Sequence, residues 1–335
     1  MAVDRLVQVD SLDDFTTKER DTGVAAIRNG QVAVVTPLAG MNTRGGMRCR
    51  ALTPLQGTSL TPLDIHFRSL EAIRRTLYPR LQAFVITSQL FHDDISRWIE
   101  ASGGYGFNGD LHVVEAPSYP FSIPSNNSAP GQLVPAPFGH GHTFKSMGPH
   151  LKVLDDMGVG YIYYWHVSNL LERILDPSFI GHAILRGFGS SVKVVDPARA
   201  RPHMGRVGVD NARPVAIPHH DASLYGNWED LHGNLGSKFF CLSNVRKTLD
   251  QELPTYQVRH YLGIPSESNR QFISRPETSI LDILNLCQPL GPVLINPDQE
   301  YFPFKSATAA DFVEVVSKRV ERGLHNPPGF EGVLY

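Results

Sequence analysis

Cysteine is scarce: the 335 residues include only Cys49, Cys241 and Cys287. Three widely spaced cysteines argue against a disulfide framework and form no Cys-x-x-Cys metal site. No apolar run approaches membrane-spanning length, and the opening Met-Ala-Val-Asp-Arg-Leu carries no apolar signal core. A reducing cytoplasm is therefore the default setting, with no membrane partner. Positive charge is not in excess either: 31 Lys and Arg stand against 33 Asp and Glu, net −2. With no long basic run there is no electrostatic case for a nucleic-acid partner, and any phosphate site must be local. A composition of 41% hydrophobic and 19% charged residues excludes a disordered chain. The length suits one large α/β domain or two smaller ones. Oligomeric state is not legible.

Glycine and proline are plentiful, at 29 and 25, and imply many loops. Two stretches stand out. Residues 34–46, Val-Val-Thr-Pro-Leu-Ala-Gly-Met-Asn-Thr-Arg-Gly-Gly, read as an apolar strand breaking into a glycine-rich turn. Such a turn can bring backbone N–H groups up to a phosphate. Residues 297–306, Pro-Asp-Gln-Glu-Tyr-Phe-Pro-Phe-Lys-Ser, place Lys305 after a Phe-Pro-Phe segment, a compact charge for the same phosphates. Together they suggest a nucleoside-triphosphate site assembled from both ends of the chain. Taken alone, the turn is often only a tight turn, and Lys305 a solvated surface lysine.

The pattern predicts an N-terminal extension or helix over 1–30 and a buried strand over 31–38. A helix follows, with Thr61 as N-cap, Pro62 at the first position, Asp64 on the dipole and Leu63, Phe67, Leu70, Ile73 and Leu77 on one face. Strands over 83–87 and 111–116 flank a helix over 93–101, stopped by Gly103 and Gly104. Residues 117–141 read as one long loop. Helices over 143–157 and 169–185, strands over 159–167, 191–196 and 237–242, and a terminal helix over 308–322 complete the alternation. The economical fold is a three-layer α/β/α arrangement around a mixed, mostly parallel sheet, with its ligand site at the carboxyl ends of the strands.

These segments, in this order, resemble the eukaryotic-type UDP-sugar pyrophosphorylase family, its UDP-N-acetylglucosamine branch most of all. Leu38-Ala39-Gly40 and Thr43-Arg44-Gly45-Gly46 are similar to the family's Leu-Ala-Gly-Gly-x-Gly-Thr-Arg-Leu-Gly loop with one residue missing. Thr87-Ser88 matches its Thr-Ser, and Gly139-His140-Gly141 its Gly-His-Gly. His232-Gly233-Asn234-Leu235 through Phe239-Phe240 resembles the sugar-site segment; Leu253-Pro254, Glu277 to Asp282 and Glu300 to Lys305 fall where further motifs stand. The resemblance implies a nucleotide-diphospho-sugar transferase (GT-A-like) architecture in a single domain over 31–335. It also implies transfer of a nucleotidyl group from a triphosphate, UTP favoured, to a sugar 1-phosphate or related phosphorylated polyol, with release of pyrophosphate. Arg44, Arg50 and Lys305 would offset phosphate charge. Leu38, Ala39, Gly40, Thr43, Gly45, Gly46, Ser88, Gly139 and His140 would hold the nucleotide, and Asn169, Gly233, Asn234 and Glu277 the acceptor.

The departures are equally specific. The family's phosphate-binding Pro-Lys is met by Arg50-Ala51, and His142 stands for an aspartate. Magnesium is expected by resemblance, yet the family's aspartate ligand is replaced by Ser168, a poor magnesium donor. The chain ends soon after Lys305, so the family's C-terminal domain is expected to be absent or minimal. Hence a non-catalytic nucleotide-sugar binder stays open. So does a histidine-metal hydrolase built on His140 and His142, with His166, His219, His220 and His232 in support. Ser168 also reads as a helix N-cap, and Cys49 as an ordinary buried thiol.

Overall fold

The computed structural model describes residues 9–38, 40–42, 48–55, 59–123, 132–262 and 271–303. Ten strands form one sheet, whose main path runs Asp10–Ser11, Leu290–Leu294, Ser190–Val195, His232–Cys241, Tyr161–Tyr164, Val32–Pro37, Ala83–Thr87 and Leu111–Glu115. All neighbours are parallel except the two pairs that involve His232–Cys241. An antiparallel hairpin, Arg206–Asp210 with Arg213–Ile217, joins the His232 end of that strand.

Period-two alternation builds the two cores. Val32 and Val34 pack on one face with Phe67, Tyr163 and Phe179; Ala33 and Val35 pack on the other with Phe144, Ile162 and Phe240. Every residue of Val32–Pro37 is buried, as expected of a strand covered by helices on both sides.

Local signals set the helices. Thr61 and Asp64 form a reciprocal capping box on Pro62–Thr76, whose Leu63, Phe67, Leu70 and Ile73 are buried, as is the C-cap Leu77. The 1–30 segment is more than an appendage in its described part. Asp10–Ser11 is a strand of the sheet, and Thr17–Arg28 lies against Pro177–Arg186. That approach is backbone-close: a Cβ on Gly23 would sit 1.9 Å from the Pro177 carbonyl oxygen, and one on Gly181 1.7 Å from that of Glu19.

Two expectations are corrected. The 117–141 loop contains a ribbon, Ser118–Ile123 with Gln132–Pro137, in which Pro120 faces Pro135. A two-stranded ribbon tolerates prolines that a central strand does not. The helix expected over 169–185 starts only at Pro177, capped by Asp176, whose carboxylate accepts the N–H groups of Ser178 and Phe179. Ser168 is therefore no N-cap; the turn after it is held by the Asn169 side chain, which bonds to Leu171, Glu172 and Glu300 O. The 308–322 helix lies outside the described residues.

Candidate functional site

A cleft of about 380 Å³ opens where Val32–Pro37 and Tyr161–Tyr164 end. Its walls include Arg50, His140, Tyr164, His166, Ser168, Asn169, Asn234, Lys238, Tyr301 and Pro303. This is the sheet edge at which ligands of such folds collect.

Both motif stretches lead into it. Leu38 is buried, its N–H bonded to Ile86 O at 2.7 Å. Gly40 O accepts the Arg50 N–H at 3.3 Å, and Met41–Asn42 pairs with Arg48–Cys49, so a short ladder closes the turn. Ala39, Thr43, Arg44, Gly45 and Gly46 lie outside the described residues, as does Lys305. The late segment is described to Pro303, which bridges to Asn169, and it lines the cleft with Arg50. Burial lifts the Cys49 thiol to about 11, as suits an inert core cysteine.

The Gly139-His140-Gly141 turn is clamped to the start of the Ile280–Leu286 helix. Phe138 O accepts Thr278 N–H at 2.6 Å, and Gly141 N–H donates to Thr278 O at 3.1 Å. Gly139 has φ 86°, and a Cβ there would sit 2.6 Å from Thr278 O. His140 Nδ1 accepts the Ile280 N–H at 2.9 Å, which places the ring proton on Nε2. Burial pulls this imidazole down to about 4, and His166 to about 3. Both are neutral near pH 7.

The remaining site residues divide. Asn234 is on the wall, its Oδ1 buried with no hydrogen-bond partner among the described residues. Gly233 sits behind it: a Cβ there would meet Ala200 at 2.7 Å and Val195 at 2.9 Å. Asn169 touches the cleft, but its amide is occupied. Nδ2 donates to Glu172 and to Glu300 O, while Oδ1 accepts the Phe302 N–H at 2.8 Å. It positions the late segment. Ser88 is buried beyond Ala83–Thr87 and is not on the cleft wall, and the Glu277 carboxylate is engaged by Arg275 at 2.7 Å, also off that wall.

The described wall carries Arg50, Arg201 and Lys238 and no aspartate or glutamate. Polyanions suit such a surface. Magnesium does not: it takes oxygen ligands, chiefly carboxylates, and Ser168 Oγ is within 3.3 Å of His166 Nδ1. Among the described residues no three His, Cys, Asp or Glu side chains group as a metal site. The histidine-metal reading gains no support from the described residues.

Lys238 and Arg201 are wall residues that sequence reasoning passed over, and Tyr164, which the sequence reads only as strand packing, is a third. The available signal was a lysine inside the otherwise apolar Phe239-Phe240 strand. A charge on a buried strand needs a cleft or a partner.

The sheet order and the cleft at the strand ends define a mixed, mostly parallel α/β fold with its candidate site at the strands' carboxyl ends. The chain superposes on the uridine diphosphate N-acetylglucosamine pyrophosphorylase of Trypanosoma brucei (TM-score 0.72, 18% identity, covering 95% of this chain and 71% of that one). It superposes equally on a variant UDP-glucose pyrophosphorylase of Leishmania major (TM-score 0.72, 16% identity, 94% and 70%). In sequence it is 26% identical over 200 residues to human UDP-N-acetylhexosamine pyrophosphorylase-like protein 1, and 22% identical over 253 residues to the UDP-N-acetylglucosamine pyrophosphorylase of Saccharomyces cerevisiae. Those matches cover 52% and 68% of this chain but only 38% and 52% of the relatives. No model of a protein family matches the chain. The chain is thus similar, at low identity and over about half the length of its curated relatives, to UDP-sugar pyrophosphorylases. Among its described residues no helix is long and apolar enough to cross a membrane.

Proposed function

We propose that the protein transfers a nucleotidyl group from a nucleoside triphosphate, UTP by preference, to a sugar 1-phosphate or similar phosphorylated polyol. A phosphate oxygen of the acceptor attacks the α-phosphorus, the bond to the β-phosphate oxygen breaks, and pyrophosphate leaves. The protein's task is to align two anions and offset their charge. One observation carries the reading: Arg50, closing the early glycine turn, and Tyr301 and Pro303, on the segment leading to Lys305, line one cleft whose described wall holds no carboxylate. The 38–50 side and His140 would hold the nucleotide, and Asn234 the acceptor; Arg44 and Lys305 would complete the phosphate site. Magnesium, if used, would come with the triphosphate rather than on a described side chain. Residues 31–335 would act as one catalytic unit, in a reducing cytoplasm consistent with three free cysteines.

The test is pyrophosphate release from UTP over a panel of sugar 1-phosphates, alongside thermal stabilisation by UTP. Lys305→Ala should abolish release; unchanged release removes Lys305 from the mechanism. Stabilisation by UTP with no turnover on any acceptor selects the second reading, a nucleotide-sugar binder, which the missing carboxylate favours.

A further inference from the structure

Lys238 lies in the middle of His232–Cys241, paired with Tyr164 across the ladder. It is 2% exposed and is one of the residues that line the cleft. Nζ donates to Leu235 O at 2.8 Å and Gly236 O at 3.1 Å, and stands 5.4 Å from the centre of the Tyr164 ring. An ammonium has three N–H donors, and no acceptor among the described residues takes the third. Among the described residues no carboxylate forms an ion pair with it. Glu172 attracts it from a distance but accepts Tyr163 Oη, Ser237 Oγ and Asn169 Nδ2. A buried cation without a counter-ion is costly, so a cleft that keeps one is built for an anion from solution. Tyr164 adds a second donor on the same wall, its buried hydroxyl having no partner among the described residues.

We propose that Lys238 is an oxyanion seat in the cleft, its spare N–H donating to a phosphate-type oxygen. Nothing in the motif pattern assigns this role, and it adds a contact point separate from the early turn and Lys305. Burial draws the ammonium down to about 7 against the pull of Glu172, so the empty seat is partly neutral near physiological pH. A bound oxyanion restores full charge, and binding takes up a proton. The groups around Lys238 are Tyr164, Glu172, His140, His166 and the Arg50 guanidinium. The two imidazoles, at about 4 and about 3, stay neutral across the range that matters, and Tyr164 is pushed above its ordinary value by burial. The natural oxyanion, a nucleotide or sugar phosphate, rests on the nucleotidyl-transfer reading, whereas the seat itself does not.

The experiment measures sulfate affinity of the full chain by calorimetry from about pH 6 to about pH 9, where sulfate keeps a constant charge. Wild type should weaken by up to about tenfold per pH unit above about pH 7, the mark of one linked proton. Lys238→Met should bind at least about tenfold more weakly at the acid end, having lost a charge-assisted hydrogen bond. Lys238→Arg should bind there like wild type but lose that component of the pH slope. Equal affinity in wild type and Lys238→Met, or one shared pH profile for wild type and Lys238→Arg, would overturn the proposal. So would a flat wild-type profile, which needs no variant to fold. Sulfate binding without any response to UTP would keep the seat and reject the nucleotide.

Discussion

Lys193 Nζ lies 2.6 Å from Glu300 Oε2 and 2.7 Å from Asp176 Oδ2, and all three side chains are buried. Arg173 approaches the other Glu300 oxygen at 3.5 Å. Burial alone would lower the Lys193 ammonium, but the two carboxylates hold it above its ordinary value. The cluster ties a central strand to the Asp176 helix cap and to the residue before Tyr301, so it fixes one wall of the cleft.

Removing one member should therefore cost more than a surface pair would. Lys193→Met strands two buried carboxylates and should lower unfolding free energy by about 3–5 kcal/mol in chemical denaturation. The triple variant Lys193→Met, Asp176→Asn, Glu300→Gln should recover most of that loss. A single variant as stable as wild type would show that solvent reaches the cluster.

Gly141→Ala tests the clamp on the His140 turn. The new Cβ would stand 2.5 Å from Thr278 Oγ1 and 2.8 Å from the Ser279 nitrogen, and the latter is backbone that cannot rotate away. The turn must move, at about 1–3 kcal/mol. Nucleotide-induced thermal stabilisation should shrink more than stability itself, because His140 moves with the turn. Unaltered stabilisation by UTP would place His140 outside nucleotide binding.

Much of the scaffold was legible because each signal was local. The apolar run 32–37 needed only its neighbours to read as a buried strand, and Thr61, Pro62 and Asp64 stand in order at a helix start. What escaped depended on distant partners. Ser168 looked like a cap until Asp176 and Pro177 took that role eight and nine residues on. The antiparallel course of His232–Cys241, which puts Lys238 beside Tyr164, follows from strand order and leaves no mark on the strand's own residues. The cleft wall was half visible: His140 and Asn234 fall in motifs, whereas Arg201 sits among surface-like residues.

Acid stability should carry the imprint of His140 and His166. Both are drawn from an ordinary 6.5 to about 4 and about 3, so the unfolded chain binds their protons more tightly. Stability should be fully present above pH 6.5 and fall as pH drops through that window, with up to two protons taken up on unfolding. Asp282 works in the opposite sense. Burial raises it from 3.8 to about 6, against a 3.0 Å hydrogen bond from Tyr256, so its contribution is present at low pH and lost as pH rises through about 6. Asp282→Asn should thus steepen the acid loss, seen as a larger drop in urea midpoint between neutral and mildly acid pH. A shallower drop in the variant contradicts the assignment.

Asn234 offers the sharpest separation of acceptor from nucleotide. Its N–H is spent on Gly205 O at 2.9 Å, which holds the backbone beside the Arg206–Asp210 hairpin. The side-chain Oδ1, by contrast, is buried at the cleft without a described partner, and a lone carbonyl oxygen there wants a donor such as a sugar hydroxyl or an amide N–H. Asn234→Ala removes that acceptor and should raise KM for the sugar 1-phosphate by about tenfold, the worth of one hydrogen bond, while UTP stabilisation stays unchanged. Asn234→Asp keeps the oxygen and the shape but sets a negative charge in a cleft that otherwise holds none on its described wall. It should therefore weaken both ligands, the more strongly charged UTP included, and lose less at high salt, where screening blunts the repulsion. If Asn234→Ala instead lowers UTP binding and spares the acceptor, the two halves of the cleft are the reverse of the assignment made above.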